Sequence, residues 1–221
     1  MKSLKFLIPS TLILSAMAMS SLGVGAPPQD STPKVDLSVL GSLVRNNAKG
    51  DWKYPGGSKF TRNGSRAYIN HFARKLAAND GEVAMYEDVI NQGIRVFEEQ
   101  EGPMGYTNDL AGGLAFYTMA NVALATNKPY EDKYFGNMVA QFRKAFCAKA
   151  VANMSPSKKQ NLYDYMITES VYMQALASAG RDRNQTETAD FLTKMGTMQI
   201  QTTFAYDASR MRIDESGVHF N

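Results

Sequence analysis

From Ser65 almost to the C terminus, apolar side chains recur at steps of three and four residues, the period of an α-helix. A strand sends alternate residues to opposite faces, so this pattern cannot line one side of a sheet. Helix must pack on helix. Tyr68, Ile69, Phe72 and Leu76 predict a helix over about 65–78, closed by Ala-Asn-Asp-Gly. Val83, Tyr86, Val89, Ile90, Ile94 and Phe97 predict a second over 81–101, and Glu-Gly-Pro-Met-Gly breaks it. A third lies within 106–127, where Thr107, Asn108 or Asp109 can accept from the free amides of the first turn. Its expected stripe is Leu110, Leu114, Tyr117, Asn121 and Leu124. A fourth is expected over 131–152, turning Tyr134, Phe135, Met138, Phe142 and Phe146 inward. Ser155 with Pro156 opens a fifth that runs to Gly180, and a sixth follows 184–186 with Phe191, Leu192, Met195 and Met198. The tail, with its turn-like Asp-Glu-Ser-Gly, predicts a short strand or hairpin. The fold class is therefore all-α, an antiparallel bundle of five or six helices.

Ahead of the bundle the composition changes twice. Residues 1–26 combine Lys2 and Lys5 with an apolar stretch and small residues at Val24, Gly25 and Ala26, the pattern of a cleaved secretory signal. Residues 27–64 are rich in Pro, Gly, Asn and Ser, and predict an exposed arm with one short helix or strand near Val35–Val44, docked through Trp52, Tyr54 and Phe60. The helical domain is then 65–221, and 44% hydrophobic against 20% charged residues suits a single packed core. Loss of the signal lowers Lys plus Arg from 24 to 22 against 21 acidic residues, so the mature chain is almost neutral. With no basic cluster interleaved with aromatics, nucleic acid is not an expected partner. No later stretch is long and apolar enough to span a bilayer.

Chemistry-bearing patterns are sparse. Ser155-Pro-Ser-Lys158 has the spacing of penicillin-interacting enzymes, but the cap explains Ser155 and Pro156 without it. His71 and His219 have no partner at metal-ligand spacing, and no cofactor is indicated. Met195 and Met198 fit core filling better than copper binding, and Cys147, alone among apolar neighbours, reads as a buried thiol. The run Glu87, Asp88, Glu98, Glu99 and Glu101 reads as a solvated helix face. Polar residues on apolar stripes say more. Glu169 falls among Leu162, Met166, Met173 and Leu176, and Asn121 between Tyr117 and Leu124, with Gln141 and Gln174 as companions. They either satisfy one another and fix helix register or line a ligand cavity.

Gly112 and Gly113 stand together in a helix, where each costs about 1 kcal/mol against alanine. With Ala111 and Ala115 they predict a small-residue patch for close approach, occupied by Tyr134, Phe135, Phe142 and Phe146 of the fourth helix.

The segments NDLAGGLAFYTMAN, QFRKAF, MSPSKKQNLYDYMITESVYM and RMRIDESGVHF, in that order, resemble a domain-of-unknown-function family of exported bacterial proteins over residues 68–220. The resemblance implies an all-α exported protein and brings no activity, substrate or cofactor. If shared residues mark a site, it implies Asn108, Asp109, Gln141, Arg143, Tyr163 and Asp164. Thr118, Met119 and Thr168 through Ser170 depart from the family's alanine-rich pattern. The residues together suggest an exported helical protein that binds a protein partner or small ligand in the cell envelope. An envelope hydrolase using carboxylates such as Asp109 or Glu169, and a structural subunit of a homo-oligomer, are the alternatives.

Overall fold

The computed structural model describes residues 35–46, 54–65, 67–128, 132–182 and 186–220, the side chains of 181 and 182 excepted. The segment read as a signal, 1–26, and Trp52 lie outside the described residues. Eight α-helices are described: α1 (Ser38–Arg45), α2 (Ala67–Leu76), α3 (Asp80–Glu101), α4 (Leu110–Thr126), α5 (Phe135–Ala145), α6 (Lys149–Ala152), α7 (Pro156–Asp182) and α8 (Thr186–Phe204). The fold is an all-α bundle, closed by an antiparallel hairpin of β1 (Met211–Asp214) and β2 (Gly217–Phe220) that pairs Met211 with Phe220 and Asp214 with Gly217.

Local chemistry sets the helix starts. Asn79 accepts from the Glu82 amide at 3.0 Å while Glu82 reaches back to the Ala78 amide at 2.8 Å, a reciprocal cap that opens α3. Asp109 accepts from the Ala111 amide at 2.9 Å and opens α4. At α7, Ser155 accepts from the Lys158 amide at 3.2 Å, and Pro156 takes the first helical position.

α4 is the axis of the molecule. Every residue from Leu110 to Asn121 is buried, and α5, α7 and α8 all pack on it. The expected one-sided stripe is thus exceeded: the small residues between the large ones also face protein, as in a helix apolar on all sides. Such a helix needs neighbours that come close. A Cβ on Gly112 would lie 2.0 Å from the Tyr106 carbonyl oxygen, and one on Gly113 would lie 3.0 Å from both the Met166 methyl and the Tyr163 ring. The glycine pair therefore seats the 102–109 turn and α7, not the aromatic rings of the fourth predicted helix. On another side Gly196 of α8 does the same service, since a Cβ there would be 2.6 Å from the Asn121 carbonyl oxygen.

Two further expectations are corrected. The fourth helix is not continuous: α5 ends at Ala145, Ala148 is extended, and α6 starts at Lys149. The Gly57 turn fits against this break, so closely that a Cβ on Gly57 would stand 3.0 Å from the Phe146 carbonyl oxygen. The N-terminal segment is also not an exposed arm where it is described. Leu37, Leu40 and Val44 are buried, α1 packs on α8, and Arg45 donates to the Ala205 carbonyl at 3.0 Å.

Gly112→Ala forces a methyl against a backbone oxygen, whereas Gly113→Ala meets a flexible methionine end and a ring edge. The expected stability losses are on the order of 3 kcal/mol and about 1 kcal/mol. Urea unfolding of the two variants checks the difference; equal midpoints would mean that the Tyr106 carbonyl does not hold its place.

Candidate functional site

The 54–65 segment crosses the start of α4 and then α7. Its turn is tied by Lys59 N–H to Gly56 C=O at 3.0 Å, after which Leu110 N–H donates to Ser58 C=O at 3.0 Å and Phe60 N–H to Asn108 C=O at 3.1 Å. These two bonds make a single antiparallel bridge between Lys59 and Asp109. Side chains of α7 complete the attachment. Lys159, itself buried, donates to the Gly57 carbonyl at 2.6 Å, and the same burial lowers its pKa. Gln160 accepts from the Asn63 amide at 2.9 Å and donates to the Ser65 carbonyl at 2.7 Å.

Beneath this segment lies a polar niche. Arg62 pairs with the buried Asp164 in a short charged hydrogen bond, has Glu98 at 3.7 Å, and stands 5.5 Å over the Tyr163 ring. Phe60 meets that ring edge-on at 5.4 Å. Tyr163 is fully buried, and desolvation followed by the Glu98 charge raises its pKa. The Asn108 backbone amide partly offsets this, yet the phenol has no hydrogen-bond partner of ordinary geometry. Arg62 Nε, Glu98 Oε1 and the Asn108 side-chain oxygen are likewise buried without a hydrogen-bond partner. Asn108 is held at φ 51, a left-handed conformation uncommon outside glycine. Two donors, Arg62 N–H and Tyr163 O–H, thus accompany two acceptors, Glu98 and Asn108.

Next to the niche is a complete network. Asp109 is fully buried; one oxygen caps α4 and the other accepts from Arg143 Nε at 2.7 Å. Arg143 also donates to the Gly105 carbonyl at 2.5 Å and covers the Tyr106 ring at 5.3 Å. Gln141, two residues earlier on α5, turns instead to the hairpin. It accepts from Val218 N–H at 2.7 Å and donates to Val218 C=O at 2.9 Å. Gly217, at φ 111, leaves room for it, because a Cβ there would be 2.2 Å from the Gln141 oxygen.

The structure therefore gathers Asn108, Tyr163 and Asp164 in one place, with Asp109 and Arg143 beside them, and puts Gln141, Asn121 and Glu169 elsewhere. Asn121 donates to the Tyr117 carbonyl at 2.9 Å, and its side-chain oxygen is buried without a partner where α4 meets α8. Glu169 is half-buried between α7 and α2 and takes a long hydrogen bond of 3.4 Å from Tyr68. Desolvation raises its pKa to about 7. Arg62, Glu98, Lys159 and Gln160 were not foreseen as site residues. Arg62 belongs to a stretch that reads as irregular arm, and Glu98 to the run that reads as a solvated face. That reading suits Glu99, which is about 70% exposed in its side chain, and fails for Glu101, which is buried.

Ser216, His219 and Asp214 meet at the tip of the hairpin. His219 Nε2 lies 2.8 Å from Ser216 Oγ and 2.9 Å from Asp214 Oδ1, and Ser216 Oγ is 2.7 Å from that same carboxylate oxygen. A hydrolytic relay needs one ring nitrogen for serine and the other for aspartate. Here all three converge on one nitrogen and one oxygen, which is turn chemistry. The bonds from Ser216 also hold the Asp214 carboxyl well below the usual carboxylate range. Among the described residues no three metal-ligating side chains cluster, and no helix is long and apolar enough to cross a membrane.

Two outcomes test these electrostatics. Arg143→Met leaves the Asp109 charge buried and unpaired, for an expected loss on the order of 3 kcal/mol. Combined with Asp109→Ser it should cost less than the sum of the single losses; strict additivity in chemical unfolding would deny the coupling. Glu101 has a pKa raised to about 7 by burial and then by Asp132. A carboxyl raised on folding favours the folded state only while protonated, so its contribution falls as pH rises from the ordinary glutamate range to about 7. Glu101→Gln should therefore gain stability relative to the parent between pH 5 and 8, by on the order of 2 kcal/mol. A pH-independent difference would contradict the shift.

No curated protein and no solved structure matches this chain. The family of unknown function DUF6683 matches it over residues 29–221, which takes in α1 and the 54–65 segment as well as the bundle. The resemblance seen over 68–220 was thus too short: the segment that roofs the niche is part of the shared unit. The chain belongs to the DUF6683 family.

Proposed function

We propose that the protein is an exported binding protein of the cell envelope, and that it seats a neutral hydrogen-bonding group of a small ligand or protein partner in the niche under the 54–65 segment. The observation that carries this is the set of four buried polar atoms on Arg62, Glu98, Asn108 and Tyr163 without hydrogen-bond partners. Such groups cost about 1–3 kcal/mol each when left unmet. Two donors and two acceptors call for a group that both accepts and donates, such as a hydroxyl pair or a carboxamide. Export rests on the basic, apolar start of the chain. Catalysis by Asp109 has little to recommend it, because both of its oxygens are committed to the fold.

Tyr163→Phe is the discriminating variant, since it removes a hydroxyl that has only the off-geometry Asn108 backbone amide beside it. The immobilised parent should retain a component of its own envelope fraction that the variant loses, while the variant melts at or above the parent's temperature. If Tyr163→Phe instead melts lower and retains the same components, the niche holds only a structural water and the binding reading fails.

A further inference from the structure

A charged corner stands apart from the niche, where the 54–65 segment crosses the break between α5 and α6. Gly57 is its hub. A Cβ on Gly57 would lie 3.0 Å from the Phe146 carbonyl oxygen and 3.6 Å from the Ala152 Cα, and the Gly57 carbonyl accepts from the Lys159 ammonium at 2.6 Å. Four further lysines lie close to these contacts along the chain: Lys59 follows Gly57, Lys144 and Lys149 flank Phe146, and Lys158 precedes Lys159. None is more than three residues away, a span of at most about 11 Å, so their backbones come together at one corner.

Lys59, Lys144, Lys149 and Lys158 are all exposed. Among the described residues none of them has a carboxylate within ion-pair distance. The sequence explains why. No Asp or Glu occurs from Trp52 to Asn79 or from Lys133 to Tyr163, and parts of these two stretches meet at the corner. Asp109 and Asp164, which the same segments bring close, are buried and paired with Arg143 and Arg62. A mature chain that is almost neutral overall therefore carries an uncompensated positive corner. Net charge exerts little pull on an anionic partner, so such a partner is met through this corner and in one orientation.

The residue types narrow the partner. Arginine's planar fork suits a single phosphate or carboxylate held bidentately, and both arginines nearby are committed to aspartates. Lysine is a point charge on a flexible stem, which suits many mobile negative charges rather than one fixed group. The four come from the segment, α5, α6 and α7, around a corner rather than along one helix, and so meet a broad surface better than a thread. Binding of single-stranded nucleic acid usually adds aromatic faces for stacking. Here Phe60 turns to Tyr163, and Phe146 is fully buried.

We propose that the corner formed by Lys59, Lys144, Lys149 and Lys158 docks the protein on an anionic lipid surface. It uses no residue of the niche, so it stands whether or not that reading does.

The test is flotation of the mature chain, without residues 1–26 whose apolar stretch would itself enter lipid. The vesicles are phosphatidylcholine with or without about one-third phosphatidylglycerol. The chain should float with the anionic vesicles alone, and its affinity should fall at least about tenfold when salt rises from about 0.1 M to about 1 M. Lys144→Gln and Lys149→Gln should each weaken binding about fivefold, and the two together on the order of twentyfold, with melting temperatures unchanged because both side chains are exposed. Lys194→Gln, at an exposed position on α8, and Tyr163→Phe in the niche should float like the parent. Equal flotation with neutral vesicles, affinity that ignores salt, or a folded double variant with parental affinity would overturn the proposal. So would a DNA duplex bound as tightly as the anionic vesicles at equal phosphate concentration.

Discussion

The rest of the structure depends on the Asp109 carboxylate. It is wholly buried, and its two oxygens serve different elements: the first caps the start of α4, and the second receives Arg143 from α5. The backbone around the same residue pairs with the 54–65 segment. The side chain thus fixes where the central helix begins and how α5 lies against it, and the backbone at the same place fixes where the N-terminal segment crosses. A charge in this position is tolerable only because it is fully satisfied, as an unpaired one would cost several kcal/mol.

From that point the molecule is organised around a helix with no wet side. α4 is buried all round for its first three turns, so it contributes almost nothing to solubility and everything to packing. Glycines at its crossings exchange helix propensity for proximity. Gly112 and Gly113 bring in the 102–109 turn and α7, while Gly196 brings in α8. The penalty of about 1 kcal/mol per glycine is outweighed where close contact buries large rings such as Tyr163 and Tyr117.

The helical period made the bundle legible in the sequence. The starts of α4 and α7 were readable from their caps, the end of α3 from the Gly-Pro-Met-Gly breaker and the terminal hairpin from its Asp-Glu-Ser-Gly turn, whereas the stop expected at Gly180 is overrun, α7 continuing to Asp182. Asn108, Tyr163 and Asp164 were singled out by resemblance, and the structure brings them together. Their partners were not legible, for physical reasons. Arg62 sits in a stretch without periodicity, and its meeting with Asp164 joins residues 102 positions apart. Glu98 and Glu101 follow a charged run that hides its inward members, because burial there depends on what lies above α3 rather than on the helix itself. The break between α5 and α6 contains neither proline nor glycine at 146–148, so nothing local announces it. Gln141 shows the opposite limit: the residue was singled out, and its attachment to the hairpin could not be read from α5.

That attachment has a bearing on self-association. A two-stranded hairpin normally leaves an open outer edge on each strand, ready to recruit a strand from another molecule. Val218, at the middle of β2, already has both its backbone groups engaged by the Gln141 carboxamide. A side chain on a helix thereby stands in for a third strand. The β2 edge of the hairpin can thus be short and partly apolar without offering a neighbouring molecule a template for sheet growth on that side.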